Sequence, residues 1–223
     1  MSKRAPSRKT SETERGPETG PAGDRSAGDD SEDARLDPIL TAAYTCFTRH
    51  GVRRTTMDDI AREAGMSRPA VYQYVRNKED VFRRLTRRLL AQTLADARAG
   101  LESKDELADQ LTSALEAKLR LTLRLWQDSP AHAAELLSVD ARTSADLISE
   151  YEQAMRDLLA GAAGRVVPPR ADAEEFADLL LAFTRGLEAD LSDHATPVRR
   201  LRHGVQLFVA GLDHARTNPL ESV

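Results

Sequence analysis

The amino-acid sequence predicts an all-α protein, and three observations carry that prediction. Apolar residues recur at three- and four-residue steps along most of the chain, the period of a helix face rather than a strand. Aromatics make up only 4% of the 223 residues, while Leu, Ala, Arg and Glu, which sit comfortably in helices, dominate. Finally, the sequence offers no convincing strand and no internal repeat.

Residues 1–32 are rich in Ser, Gly, Pro, Thr and charge and nearly devoid of apolar side chains. Such a segment cannot offset the entropy of folding and is expected to be disordered. The tail is polarised, with basic SKRAPSRK early and acidic DDSED at its end. The basic part has two readings, a flexible arm along a DNA minor groove or solubilising disorder. The acidic run behind it favours the second.

Helical patterning starts at Asp33. Leu36, Ile39, Leu40, Ala43 and Phe47 share one face, and Gly51 stops the helix after His50. The next helix opens at Thr56, with Asp59 three residues on as a variant capping box. Ile60, Ala61 and Ala64 form its inner face, and Gly65 ends it. The stretch that follows, MSRPAVYQYV at 66–75, has the residue types of a strand. Its context argues otherwise. Ala61 and Gly65 have the spacing of a helix-turn-helix, Ser67 suits an N-cap, and Pro69 falls in a first turn. Val71 and Val75, four apart, then face inward together.

A long helix is expected from Asn77 or Lys78 to about Leu101, with Val81, Leu85, Leu89 and Leu94 inward. Another covers 104–128, carrying Leu107, Leu111, Leu115, Leu119 and Leu123. Pro130 opens a shorter helix, and 143–165 forms the next, closed by Gly161, Gly164 and a Val-Pro-Pro run. The last two, 171–193 and 196–215, are strongly apolar, with Phe176, Leu179, Leu180, Phe183 and Leu187 on one and Leu201, Val205, Phe208 and Val209 on the other. Pro197 sits where a missing N–H costs little. Residues 218–223 are expected to be a flexible C-terminus.

The net charge of −4 conceals an asymmetry. Residues 49–88 hold eleven Lys and Arg against five Asp and Glu, a local +6, so the remainder carries −10. A basic block on an acidic protein points to a polyanionic partner for that block alone. The alternative is a solvated helix face. A single cysteine, Cys46, excludes an internal disulfide and fits a reducing cytoplasm. It lies on the apolar side of its helix, as a packed thiol would. No apolar run is long enough to span a membrane. The five histidines lack metal-ligand spacing, and no GxSxG, glycine-rich phosphate loop or CxxC is present. Neither an enzyme, a cofactor nor a metal is expected.

A short helix displaying Arg68 and Gln73 can enter a DNA major groove, where Arg pairs with guanine and Gln with adenine. The run TTMDDIAREAGMSRPAVYQYVRNKEDVF resembles the DNA-binding signature of TetR-family transcriptional regulators. The resemblance rests on Gly51, Thr55-Thr56, Ile60-Ala61, Ala64-Gly65, Ser67, Tyr72, Asn77-Lys78-Glu79 and Val81-Phe82, and covers about residues 35–83. It implies a three-helix DNA-binding domain at 33–82, joined by the long helix to a ligand-binding and dimerisation domain at 83–217. It further implies backbone contacts at Thr56, Tyr72, Tyr74 and Lys78, with Arg68, Pro69, Ala70 and Gln73 near bases; Ser67, the N-cap, is expected with them among the DNA-binding residues. Asp58 departs from the pattern, because some members have a base-reading Arg there.

The family resemblance also implies a homodimer formed through the last two helices, here through Leu179, Phe183, Leu187, Leu201, Val205 and Phe208. It implies a double-stranded operator and a small-molecule effector. Trp126, His132, Tyr151, Met155 and Phe183 are the larger or polar residues on inner faces of the C-terminal part. They either line a pocket or fill a core. The sequence therefore reads as a homodimeric repressor. The rival is a helical metabolite-binding or scaffold protein with a vestigial helix-turn-helix.

Overall fold

A computed structural model of the chain describes residues 26–102, 106–136, 143–166, 170–189, 191 and 193–217. The expectations for residues 1–25, for the Val-Pro-Pro run and for residues 218–223 concern positions wholly or partly outside that set. Eight helices account for most of the described residues. They are α1 (Ser26–His50), α2 (Met57–Glu63), α3 (Arg68–Val71), α4 (Lys78–Glu102), α5 (Leu107–Asp128), α6 (Ala145–Ala163), α7 (Arg170–Leu187) and α8 (Ala195–Thr217). A helical segment at 133–136 follows α5, and the described residues contain no strand.

Among the longer helices, two boundaries differ from expectation by more than one turn. α1 begins at Ser26, so residues 26–32, expected to be disordered, form its first turns. A polar, acidic sequence suits a helix start as well as disorder, because the helix dipole favours acidic residues near an N-terminus. α7 stops at Leu187 rather than near 193. Glu188 and Ala189 donate to carbonyls three residues back, at Arg185 and Gly186, a tightening that ends the helix.

The helices enclose two apolar cores. The N-terminal core gathers Ile39, Leu40, Ala43 and Phe47 of α1, Ile60 and Ala61 of α2, and Val71, Val75, Val81, Phe82 and Leu85. Phe47 and Phe82 meet with ring centroids 5.7 Å apart. Cys46 is buried in the same core. The C-terminal core holds Leu111, Leu115, Leu119 and Leu123 of α5, Tyr151, Met155 and Leu159 of α6, Phe176 and Leu180 of α7, and Leu201 and Val205 of α8.

α4 belongs to both cores, through Val81, Phe82 and Leu85 at one end and Ala97 at the other. It is not the sole link between them. Leu136 is part of the N-terminal core, and Leu125 packs against it. Around these, the Ser129 hydroxyl donates to the Thr48 carbonyl (2.8 Å), the Tyr44 hydroxyl donates to Asp128 (2.5 Å), and the Arg53 amide donates to Glu135 (2.9 Å). The corner at 128–136 therefore grips the N-terminal domain in addition to α4's own contacts.

α4 and α5 pass closely because Gly100 has no side chain. A Cβ there would lie 2.8 Å from Ser113 Cβ, whereas one on Gly161 of α6 would meet nothing within 4 Å. Gly161→Ala is therefore expected to stabilise the protein by about 0.5–1 kcal/mol through helix propensity. Gly100→Ala is expected to destabilise it, because about 1–3 kcal/mol of overpacking outweighs the same gain. Urea unfolding of both variants checks the pair. Equal and opposite shifts in the reverse order would contradict the close α4–α5 approach.

Candidate nucleic-acid interface

The helix-turn-helix is built from local hydrogen bonds that the sequence specifies. Thr56 caps α2: its hydroxyl accepts from the Asp59 amide (3.2 Å), and the Asp59 carboxylate accepts from the Thr56 amide (3.0 Å) and hydroxyl (2.7 Å). Gly65 ends the turn at φ +66°. Across it the Met66 amide donates to Ala61 and the Gly65 amide to Arg62, the paired bonds of a Schellman termination. Ser67 then caps α3 by accepting from the Ala70 amide, and Pro69 occupies the first turn, where no N–H is required.

α3 is only four residues long. Beyond Val71 the amides of Gln73 and Tyr74 donate to carbonyls three residues back, and Val75 donates to Val71. The chain stays coiled but tightens, so the strand-type residues at 71–75 shorten the helix without abolishing it. Val71 and Val75 are buried as expected. Ser67, Arg68, Pro69, Tyr72 and Gln73 are exposed, and Ala70 and Tyr74 half-buried.

Arg68 is held from two sides. Its Nη1 donates to Asp58 Oδ2 on α2 (3.2 Å), and its Nη2 points at the Tyr72 hydroxyl (3.5 Å). The guanidinium carbon sits 5.5 Å from the centroid of the Tyr72 ring, within cation–π range. The Tyr72 hydroxyl and the Asp58 carboxylate together raise the Arg68 pKa.

Two of the expected backbone-contact residues carry other duties. Lys78, half-buried, donates from Nζ to the carbonyls of Val52 (2.8 Å), Thr55 (3.0 Å) and Arg53 (3.2 Å). An ammonium has three donors, so all are engaged in tying the α1–α2 turn to the start of α4. Gly51, at φ +77°, and buried Thr55, whose hydroxyl donates to Gly51, complete that knot. The Thr56 hydroxyl hydrogen likewise goes to Asp59. Arg54 and Arg76 are exposed on the same domain and were not singled out from the sequence, nor was exposed Arg53, whose Nε lies 3.9 Å from Glu135. Their signal was present in the local +6, which did not say which cations remain free. Arg49, Arg62, Arg68 and Arg84 pair within the domain, with Glu63, Asp59, Asp58 and Asp80.

In the C-terminal domain Tyr151 and Met155 are buried in the core, while Trp126 and Phe183 pack against it. His132 stands apart at the 128–136 corner, with its Nδ1 3.8 Å from Glu135. None of the five lines the apolar pocket between α1, α4, α5 and Leu136, which is walled by Phe47, Phe82, Leu85, Leu89, Leu121 and Leu125. The expected dimer residues also divide. Leu201 and Val205 are fully buried within this chain's own core. Phe183, Leu187 and Phe208 are partly buried, with Phe183 and Phe208 edge to face at 5.4 Å. Leu179 stays 51% exposed, and Leu207, which periodicity did not single out, 61%. Helical spacing identified the apolar residues but not which of them a neighbouring helix already covers.

This geometry defines a helix-turn-helix domain with an arginine-bearing second helix. Residues 39–85 match the family of bacterial regulatory proteins named tetR. The uncharacterised HTH-type transcriptional regulator YfiR of Bacillus subtilis strain 168 is 46% identical over 54 residues, 24% of this chain and 26% of that protein. The match thus spans about a quarter of that relative's length. The fold recurs over most of the chain. A transcriptional regulator from Rhodococcus sp. RHA1 superposes with a TM-score of 0.60 at 22% identity, covering 84% of this chain and 99% of that one. The TetR family repressor AlkX from Dietzia sp. DQ12-45-1b, implicated in n-alkane biodegradation, does so at 0.54 and 15%, covering 79% and 97%. Residues 39–85 thus form an N-terminal domain of the tetR type found in bacterial regulatory proteins, and the remainder of the chain shares the fold of the solved regulators. Among the described residues no helix is long and apolar enough to cross a membrane.

The capping box makes stability depend on acid. Hydrogen bonds from Thr56 hold the Asp59 carboxyl below its usual range. A carboxyl depressed by folding contributes stability above its unfolded value, near 4, and loses it as pH falls through the folded value. The wild type is therefore expected to lose stability below about pH 4, and Asp59→Asn to be weaker at neutral pH with a shallower decline. Lys78→Met is expected to cost about 1.5–3 kcal/mol with no such pH signature. Denaturant unfolding across pH checks both, and identical acid profiles for wild type and Asp59→Asn would refute the first.

Proposed function

We propose that the protein is a homodimeric repressor that binds a palindromic duplex through two copies of residues 67–78 and is released by a small molecule bound in the C-terminal domain. The observation that carries the DNA-binding part is α3 itself. It is fixed by caps and by buried Val71 and Val75, yet it leaves Arg68, Tyr72 and Gln73 exposed. A helix with Arg and Gln outward has the groups that read guanine and adenine edges. Tyr72, Tyr74 and the free cations Arg54 and Arg76 suit phosphates. In this reading Thr56 and Lys78 contribute chiefly by holding the backbone that approaches DNA, and meet phosphate only by exchanging their internal bonds. The rival, a vestigial motif, leaves that exposed set without a role.

Dimerisation is supported by Leu179 on α7 and Leu207 on α8, two large apolar side chains left in water. Ala182, Gly186, Ala210 and Gly211 are exposed beside them at helical spacing. Small residues permit close packing, so these two faces can pair with their copies as a four-helix interface. Effector binding is supported by polar groups inside the C-terminal domain. The Tyr151 hydroxyl is buried and has no hydrogen-bond partner among the described residues, and burial together with Glu188 drives its pKa up. Lys118 and Glu188 form a largely buried ion pair at 2.6 Å. Such groups orient a ligand in an otherwise apolar interior. α4 and the 128–136 corner would carry the resulting shift to α3.

Sedimentation at micromolar concentration is expected to give a dimer, and Leu179→Arg with Leu207→Arg a monomer. The same double variant is expected to lose most affinity for a duplex with two half-sites, since one α3 then acts alone, while keeping its helical circular dichroism. A monomeric wild type, or a double variant that stays dimeric, would overturn the assembly.

A further inference from the structure

Resting on the DNA-binding reading above, we infer that Asp58 is a specificity-determining residue: it positions Arg68 to read a guanine in each half-site. The arrangement is unusual for a DNA-facing surface. A carboxylate beside a duplex repels phosphate, yet Asp58 stands on α2 within 3.2 Å of Arg68 Nη1. Its purpose is not stability, because the two side chains are 57% and 56% exposed, and exposed pairs of this kind contribute little to folding.

The consequence is geometric. Arginine is long, and unheld it would sample many rotamers. Here the guanidinium is fixed at three points: Asp58 on Nη1, the Tyr72 hydroxyl on Nη2, and the Tyr72 ring at 5.5 Å. Guanidinium has five N–H donors, so three remain. Two are enough for the O6 and N7 acceptors of guanine, a pattern that no other base presents in the major groove. Asp58 and Arg68 lie ten residues apart, on the two helices of the motif. Their pairing exists only once the turn at Gly65 is formed.

Asp58 therefore acts through Arg68, and its removal has a signature of opposite signs. Charge repulsion from phosphate is relieved, so affinity for arbitrary sequence holds or rises. Guanine preference falls, because the guanidinium is no longer held. A residue that merely supports α2 would lower both together.

The test is selection from a pool of randomised duplexes with the full-length wild type, Asp58→Asn, Asp58→Glu and Arg68→Ala, followed by titration of the enriched and scrambled duplexes. The wild type is expected to enrich a G·C pair in each half-site. A good bidentate contact discriminates by about 5- to 150-fold, and Arg68→Ala is expected to lose that discrimination. Asp58→Asn is expected to lose about fivefold of it, with other positions and the salt dependence unchanged and non-specific affinity not reduced. Asp58→Glu, which restores the carboxylate, is expected to recover part of the preference. If Asp58→Asn enriches the same pair as strongly as the wild type, the positioning role is overturned while DNA reading stands. If it weakens specific and non-specific binding equally, Asp58 is structural and the inference also fails. A wild type that enriches no sequence overturns the DNA-binding reading and this inference with it.

Discussion

α4 is shared by two cores, and the rest of the structure is arranged around that constraint. Its first turns carry Val81, Phe82 and Leu85 into the N-terminal core, and its far end carries Ala97 into the C-terminal one. A helix packed at both ends moves as a body, because close-packed interiors transmit displacement rather than absorb it. The corner at 128–136 doubles the connection. Leu136 enters the N-terminal core, and Ser129, Asp128 and Glu135 bond to Thr48, Tyr44 and Arg53. The Arg83–Asp146 ion pair adds a third tie, from the start of α4 to the first turn of α6. A rearrangement around α5 and α6 therefore reaches α1 and α4 together, and through them the base of the helix-turn-helix.

The polar groups of the motif divide into those that hold it and those that face outward. Thr56, Asp59, Thr55 and Lys78 are engaged internally and set where α2 and α3 stand. Arg68, Tyr72 and Gln73 project from that frame. The division follows from hydrogen-bond supply. A turn at positive φ leaves carbonyls pointing one way, and a lysine ammonium is a compact source of three donors for them. The second set is positioned only as precisely as the first set is rigid.

Much of this was legible in the sequence, and the remainder was not for identifiable reasons. Gly51 and Gly65 occupy positive φ where glycine was expected to end helices. Ser67 and Pro69 located α3 against the strand propensity of Val71, Tyr72 and Tyr74. Its contraction to four residues was hidden, because capping and side-chain preference oppose one another there and only the balance decides. The Asp58–Arg68 pair was invisible to periodicity, since it spans ten residues and a turn. Lys78 was expected outward because its position on α4 was known but the carbonyls of Val52, Arg53 and Thr55 were not. Leu201 and Val205 were expected at a subunit interface, and the chain's own core covers them. Helical period gives a face, and only tertiary packing tells what lies against it.

Residues 56–78 are the proposed DNA-facing surface, and the 128–136 corner braces it through the N-terminal core. Amide hydrogen exchange of the full-length protein, free and with a duplex taken from selection, tests both parts at once. The account predicts slowed exchange across residues 56–78 and a smaller slowing at 129–136, which shares the N-terminal core. Protection confined to α7 and α8, or unchanged exchange across 56–78 at saturating duplex, would contradict it.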